Sequence, residues 1–130
     1  VNDNVNVSQA RILLAEDNPS NRKVTQLMLR RLGYEADAVT NGLEVLQALE
    51  KRAYDLILMD ILMPKMDGVA AAEEIRRRWP ESGQPKIVAY TAYVLPDNEC
   101  KNLFTNMDDC LFKPVKMEDL RTVIESNLMS

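Results

Sequence analysis

The 130-residue chain contains no histidine. A Ser-His-Asp triad, a Cys-His pair and a His-ligated metal are therefore excluded within this chain. Any metal it binds must be held by oxygen ligands. Cysteine is scarce too. Cys100 and Cys110 are the only two, in neither a metal-ligand spacing nor a CxxC, so nothing points to a disulfide framework. Aromatics are 5% of the chain, and 16 Lys+Arg against 20 Asp+Glu leave a formal net charge of -4. Such a chain lacks the basic patch that nucleic acid selects, and nucleic acid is not an expected partner. No apolar run approaches the length of a bilayer span. The N-terminus lacks the basic-then-apolar order of a secretory signal. The expected location is cytoplasmic, with no membrane contact by this domain.

What is present is the composition of a globular domain, 46% hydrophobic and 28% charged. One domain of this length buries about two-thirds of its unfolded surface, enough for a core. Residues 1–10 are polar, Asn-rich and without period, and read as a linker or tail; residues 11–130 read as the folded domain. From Arg11 onward short apolar runs alternate with amphipathic stretches. The runs are at residues 12–15, 36–39, 55–60, 87–90 and 110–112. Near-continuous apolar runs suit strands buried on both faces, as in a parallel sheet. Between them, Val24, Leu27, Met28 and Leu32 form a helical stripe stopped by Gly33. Leu43, Leu46 and Leu49 mark a second helix, and Val69, Ala72, Ile75 and Trp79 a third, ended by Pro80. A fourth is expected over residues 96–105, and Leu120, Val123, Ile124 and Leu128 mark the last. Five strand-helix alternations predict an α/β fold with a five-stranded parallel sheet, doubly wound and flavodoxin-like, (βα)5.

In such sheets ligands sit at the carboxyl ends of the strands. The first strand ends in Glu16-Asp17, the third in Asp60, the fourth in Thr91 and the fifth in Lys113-Pro114. Singly, each of these is more often a helix cap, as Asp17 could be for the helix near Pro19, or a solvated loop residue. Their joint placement at four strand ends argues for a site. Clustered carboxylates repel one another unless a cation intervenes. A hard divalent ion suits them, with Mg²⁺ the expected ion and Mn²⁺ an alternative. A carboxylate can also attack phosphorus, and phosphoryl transfer needs chiefly positioning and charge stabilisation.

These pieces resemble the receiver domain of two-component response regulators over residues 10–128. The resemblance is carried by Ile12-Leu13-Leu14-Ala15-Glu16-Asp17-Asn18, by the MDxxMPxMDG stretch from Met59 to Gly68, by Ala89-Tyr90-Thr91-Ala92 and by Lys113-Pro114. It implies that Asp60 is the phosphoacceptor and a metal ligand, with Asp17 binding the metal directly and Glu16 through water. The backbone carbonyl of Leu62 would be the third protein ligand. Thr91 would be the switch hydroxyl and Lys113 the partner of Asp60 or its phosphate. Pro114 would be cis, and Gly68 would allow the turn after Pro64. The implied partner is a histidine of a kinase dimerisation domain or of a histidine phosphotransfer domain. Asn18-Pro19-Ser20-Asn21 and the run from Met107 to Pro114 resemble the C-terminal receivers of hybrid sensor histidine kinases. In that setting the domain would be the cytoplasmic part of a membrane-bound sensor.

One position departs from the family. Where many receivers carry an aromatic residue three positions before the lysine, this chain has Cys110. It is expected to be a small buried hydrophobe rather than a redox group, which points to output by onward phosphoryl transfer rather than by an aromatic rotamer. Leu62 and Tyr93 lie two residues past Asp60 and Thr91. They either shield an aspartyl phosphate from water or point to solvent. Arg76-Arg77-Arg78 is expected to be a solvated helix face. Three alternatives compete with the phosphoacceptor. An aspartyl-phosphate hydrolase would place an Asp where Leu62 stands. A flavodoxin-like cofactor binder would not put Glu16-Asp17 against a phosphate. A receiver that only binds partners would be expected to lack some of the five site side chains.

Overall fold

The computed structural model describes residues 10–92 and 106–128. Tyr93 and the helix expected over residues 96–105 lie outside the described residues, as do residues 1–9 of the expected linker. The elements are β1 (Ile12–Ala15), α1 (Pro19–Arg31), β2 (Ala36–Val39), α2 (Gly42–Lys51), β3 (Leu56–Asp60), α3 (Gly68–Arg78), β4 (Lys86–Thr91), β5 (Asp109–Phe112) and α4 (Met117–Leu128). All five strands are parallel, in the order β2-β1-β3-β4-β5. The expected doubly wound parallel sheet is present.

Strand side chains alternate between faces, and so divide the core in two. Leu13, Ala15, Ile57 and Met59 pack with Val45, Leu46, Ala71 and Ile75 of α2 and α3. Ile12, Leu14, Leu56 and Leu58 pack on the other face with Leu29 of α1 and with Leu120 and Ile124 of α4. β1 and β3 are buried at every position, which is why both read as unbroken apolar runs. Truncating one such side chain, as in Leu58→Ala, removes about 2–5 kcal/mol of stability. The strand order reverses between β1 and β3. Their carboxyl ends therefore border a crevice.

Helix boundaries follow local chemistry. Asn18 caps α1 by accepting from the Asn21 amide at 2.9 Å, with Pro19 in the first turn. Asn41 caps α2 by accepting from Glu44, and Asp67 caps α3 by accepting from Ala70. Gly33, at φ 96°, ends α1 in the left-handed conformation that glycine takes without penalty.

Several expectations are corrected. Asn18, not Asp17, is the cap of α1. Val24 and Leu27 of the expected α1 stripe are 56% and 52% exposed, while Thr25 and Leu29 face the sheet. The inward row is displaced because Thr25 is a polar residue with a buried partner, the Tyr90 hydroxyl at 2.7 Å. Leu43 is likewise exposed and Val45 buried. Strand β2 is only half-buried, with Asp37 exposed, as befits an edge. Arg76 is not a solvated charge. It donates to the Asn106 carbonyl at 2.9 Å, to Gln84 at 3.0 Å and to Asp108 at 2.9 Å. It thereby ties α3 to the start of β4 and to the approach to β5. Arg77 and Arg78 do lie at the surface, paired with Glu74. Cys110 is half-buried and disulfide-bonded, which corrects the expectation of an unlinked small hydrophobe. The chain's other cysteine, Cys100, lies outside the described residues.

Candidate functional site

The site is built where four strands stop. β1 ends at Ala15, so Glu16 and Asp17 leave the sheet at its carboxyl edge. Asp60 is the last residue of β3 and Thr91 the last of β4. Lys113 follows β5 directly, and its amide donates to the Thr91 carbonyl at 2.8 Å. The Lys113–Pro114 bond is cis, as the resemblance implied.

The lysine closes the cluster. Lys113 Nζ donates to Glu16 Oε1 at 2.7 Å and to Asp60 Oδ2 at 3.1 Å. Glu16 is 1% exposed, Asp60 6% and Thr91 1%, whereas Asp17 faces solvent. Carboxylate oxygens of Glu16, Asp17 and Asp60 lie within 4.8 Å of one another. Two more contacts hold the acidic pair. The Asn18 amide donates to Glu16 Oε2 at 3.1 Å, and Arg22 donates to the Glu16 carbonyl at 3.1 Å. Gly68 brings the start of α3 against the end of β3. A Cβ there would clash with the Asp60 carbonyl oxygen and stand 2.8 Å from Met59 Cγ.

The electrostatics follow from one cation shared by buried acids. Burial raises the Asp60 carboxyl to about 6, with the Glu16 charge adding to the rise and the bond and charge of Lys113 working against it. Burial pushes Glu16 up as well. There the Lys113 bond, the Asn18 amide and the lysine charge win, and the group is held below its ordinary value. Burial would lower Lys113, but its two carboxylate partners hold it above its ordinary value. Glu16 thus has the stronger hold on the lysine, and Asp60 is the acid left under-compensated.

Three carboxylates and one lysine leave a surplus of negative charge, part of it open to solvent through Asp17. An all-oxygen donor set of this kind fits a hard divalent cation. The structure brings together Glu16, Asp17, Asp60, Thr91 and Lys113. It does not bring Cys110 to the site, since that residue lies mid-strand in β5, in register with Ala89. Leu62 follows Asp60 by two residues, with its side chain 60% exposed. Two residues at the site carried no functional expectation. Tyr90 is Asp60's register partner, and its ring centroid lies 4.6 Å from Lys113 Nζ. Thr25 holds the hydroxyl of that tyrosine. A tyrosine in an otherwise apolar strand was the available signal, because a buried phenol needs a polar partner.

The family model for the response regulator receiver domain matches residues 12–125. The chain belongs to this family. Among curated relatives, the receiver is similar to part of the sensor protein GacS of Pseudomonas syringae pv. syringae, 39% identical over 116 residues, covering 88% of this chain and 13% of that protein. It is also similar to hybrid signal transduction histidine kinase F of Dictyostelium discoideum, 36% identical over 124 residues, covering 93% of this chain and 11% of that protein. The receiver thus spans a small part of the curated relatives it matches. A solved receiver domain of a Pseudomonas aeruginosa PAO1 sensor histidine kinase has a TM-score of 0.83 and 38% identity, covering 94% of this chain and 99% of that one. That structure has a magnesium ion coordinated in its active-site cleft. The chain is a receiver domain of the two-component type, with sensor and hybrid histidine kinases among its relatives. Among the described residues, no helix is long and apolar enough to cross a membrane.

Proposed function

We propose that Asp60 accepts a phosphoryl group from a phosphohistidine of a kinase dimerisation domain or a histidine phosphotransfer domain, and holds it or passes it on. The observation that carries this reading is a buried strand-end carboxylate bonded to Lys113 and clustered with Glu16 and Asp17. An Asp60 Oδ attacks phosphorus, a P–O bond forms, and the P–N bond breaks. The imidazole leaves with that electron pair and is reprotonated from solvent. Lys113 then faces the phosphoryl oxygens, and the Thr91 hydroxyl, at the end of the neighbouring strand, would turn to donate to them. Asp17, Asp60 and the Leu62 carbonyl would hold Mg²⁺, with Glu16 acting through water. That outer role suits Glu16, whose near oxygen is committed to Lys113. The bound ion would supply charge neutralisation of the transferring group.

The test is incubation with Mg²⁺ and acetyl phosphate followed by intact-mass measurement. A single phosphate adduct in the wild type, absent in Asp60→Asn, is expected. No wild-type adduct would leave a receiver that only binds partners. A second measurement concerns the product's lifetime. Leu62, two residues past Asp60 and 60% exposed, either points to solvent or shields the acyl phosphate from water, and we infer that it shields. Leu62→Asn should therefore shorten that lifetime, and an unchanged lifetime removes the shielding role.

A further inference from the structure

We propose that Tyr90 is a positioning residue for the site lysine: its ring, pinned to α1 through Thr25, is the floor that holds the Lys113 ammonium between Glu16 and Asp60. An ammonium has three donors. Two are taken by the carboxylates, at 2.7 and 3.1 Å. The π face of Tyr90 lies 4.6 Å from the same nitrogen, inside the range where the ring quadrupole attracts a cation. The ring is itself fixed. Its hydroxyl shares a 2.7 Å hydrogen bond with Thr25 Oγ1, and Thr25 and Tyr90 are 1% and 5% exposed. A run of contacts therefore leads from α1 through Thr25, Tyr90 and Lys113 to the two acids.

The alternative is that Tyr90 only fills the core beside Leu14 and Leu111. The two roles separate on the geometry of Lys113, because an aliphatic residue fills space but has no π face. A lysine lying over a ring also has a spectroscopic mark, the upfield ring-current shift of its ε-methylene protons. This assignment deepens the phosphoacceptor reading and rests on it for its consequence. The Lys113 signals, however, are read in unphosphorylated protein. Failure of the phosphoacceptor reading, seen as no labelling of the wild type, is thus told apart from failure of the brace.

The experiment compares wild type, Tyr90→Phe, Tyr90→Leu and Thr25→Val by NMR of the Lys113 side chain and by the rate of labelling with acetyl phosphate. In Tyr90→Leu the ε-methylene signals should move downfield to the values of an exposed lysine, and labelling should slow about three- to fivefold. Tyr90→Phe keeps the ring but loses the Thr25 bond, and should fall between wild type and Tyr90→Leu. Thr25→Val, which leaves the tyrosine in place, should shift the signals less and slow labelling about twofold; it carries the test should Tyr90→Leu fail to fold. Unchanged Lys113 signals in a folded Tyr90→Leu, or in Thr25→Val if that is the variant available, overturn the assignment. So does a Tyr90→Phe protein as slow as Tyr90→Leu.

Discussion

The two ends of the sheet are both charged, and they differ in how that charge is balanced. At the amino end, Asp37 accepts from the Tyr54 hydroxyl at 2.6 Å and pairs with Arg52 at 3.4 Å, both side chains of that ion pair being 55% exposed. Asp55 accepts from the Arg11 amide at 2.8 Å. A groove of ≈ 370 Å³ runs past Arg11, Glu35, Asp37 and Tyr54, yet Asp37 has partners and its ion pair is bathed in water. At the carboxyl end, Glu16 and Asp60 are buried and share one lysine, while Asp17 adds a third carboxylate. The presence of charge or a groove does not separate the ends. Buried charge without enough counter-charge does, because the fold alone gains nothing by keeping it.

The largest expected effect comes from removing the shared cation. Lys113→Ala leaves two buried acids facing each other, and should cost about 3 kcal/mol in urea unfolding at neutral pH without divalent ions. A loss no larger than that of an exposed pair would break the comparison. Mg²⁺ should act at one end only. At a hundredfold excess over its dissociation constant it should stabilise the wild type by about 2.7 kcal/mol. Asp17→Asn should reduce that gain, and Asp37→Asn should leave it alone.

Asp60→Asn should stabilise the protein in divalent-free buffer, by about 1 kcal/mol at pH 7.5. The sign follows from the raised carboxyl. With its value moved from 3.8 to about 6 on folding, Asp60 holds its proton more tightly in the folded chain. It therefore takes stability away as pH climbs from about 4 to about 6, and the loss is complete above that window. Glu16, held low, works in the opposite direction, contributing stability above its unfolded value that is lost on acidification. The difference between wild type and Asp60→Asn isolates Asp60, and it should vanish near pH 4. The smallest effect belongs to the amino end. Arg52→Ala should change stability by under about 0.5 kcal/mol, and less still in high salt.

The same contrast explains what was legible in the sequence. β1 and β3 are buried on both faces, so hydropathy alone located them, and the strand-end rule then placed Asp60, Glu16 and Lys113 without reference to any contact. The α1 stripe was misplaced because its inward row contains Thr25. A hydroxyl satisfied by Tyr90, far along the chain, looks like a surface residue until the partner is known. Arg76 failed for the same reason. One arginine in a run of three is tied to Asn106, Gln84 and Asp108, and nothing local distinguishes it from Arg77 and Arg78. The division of labour between Glu16 and Asp60 was also hidden. It depends on which acid the lysine reaches at 2.7 Å and which at 3.1 Å.

Gly68 adds a mechanical consequence. With no room for a methyl group between it and the Asp60 carbonyl, the start of α3 and the end of β3 meet as rigid bodies without a cushion. Any push on the backbone of Asp60 is passed to the helix rather than absorbed by a side chain. An added Cβ would act as a wedge, prising α3 off the sheet at the one strand end whose carboxylate the site turns on.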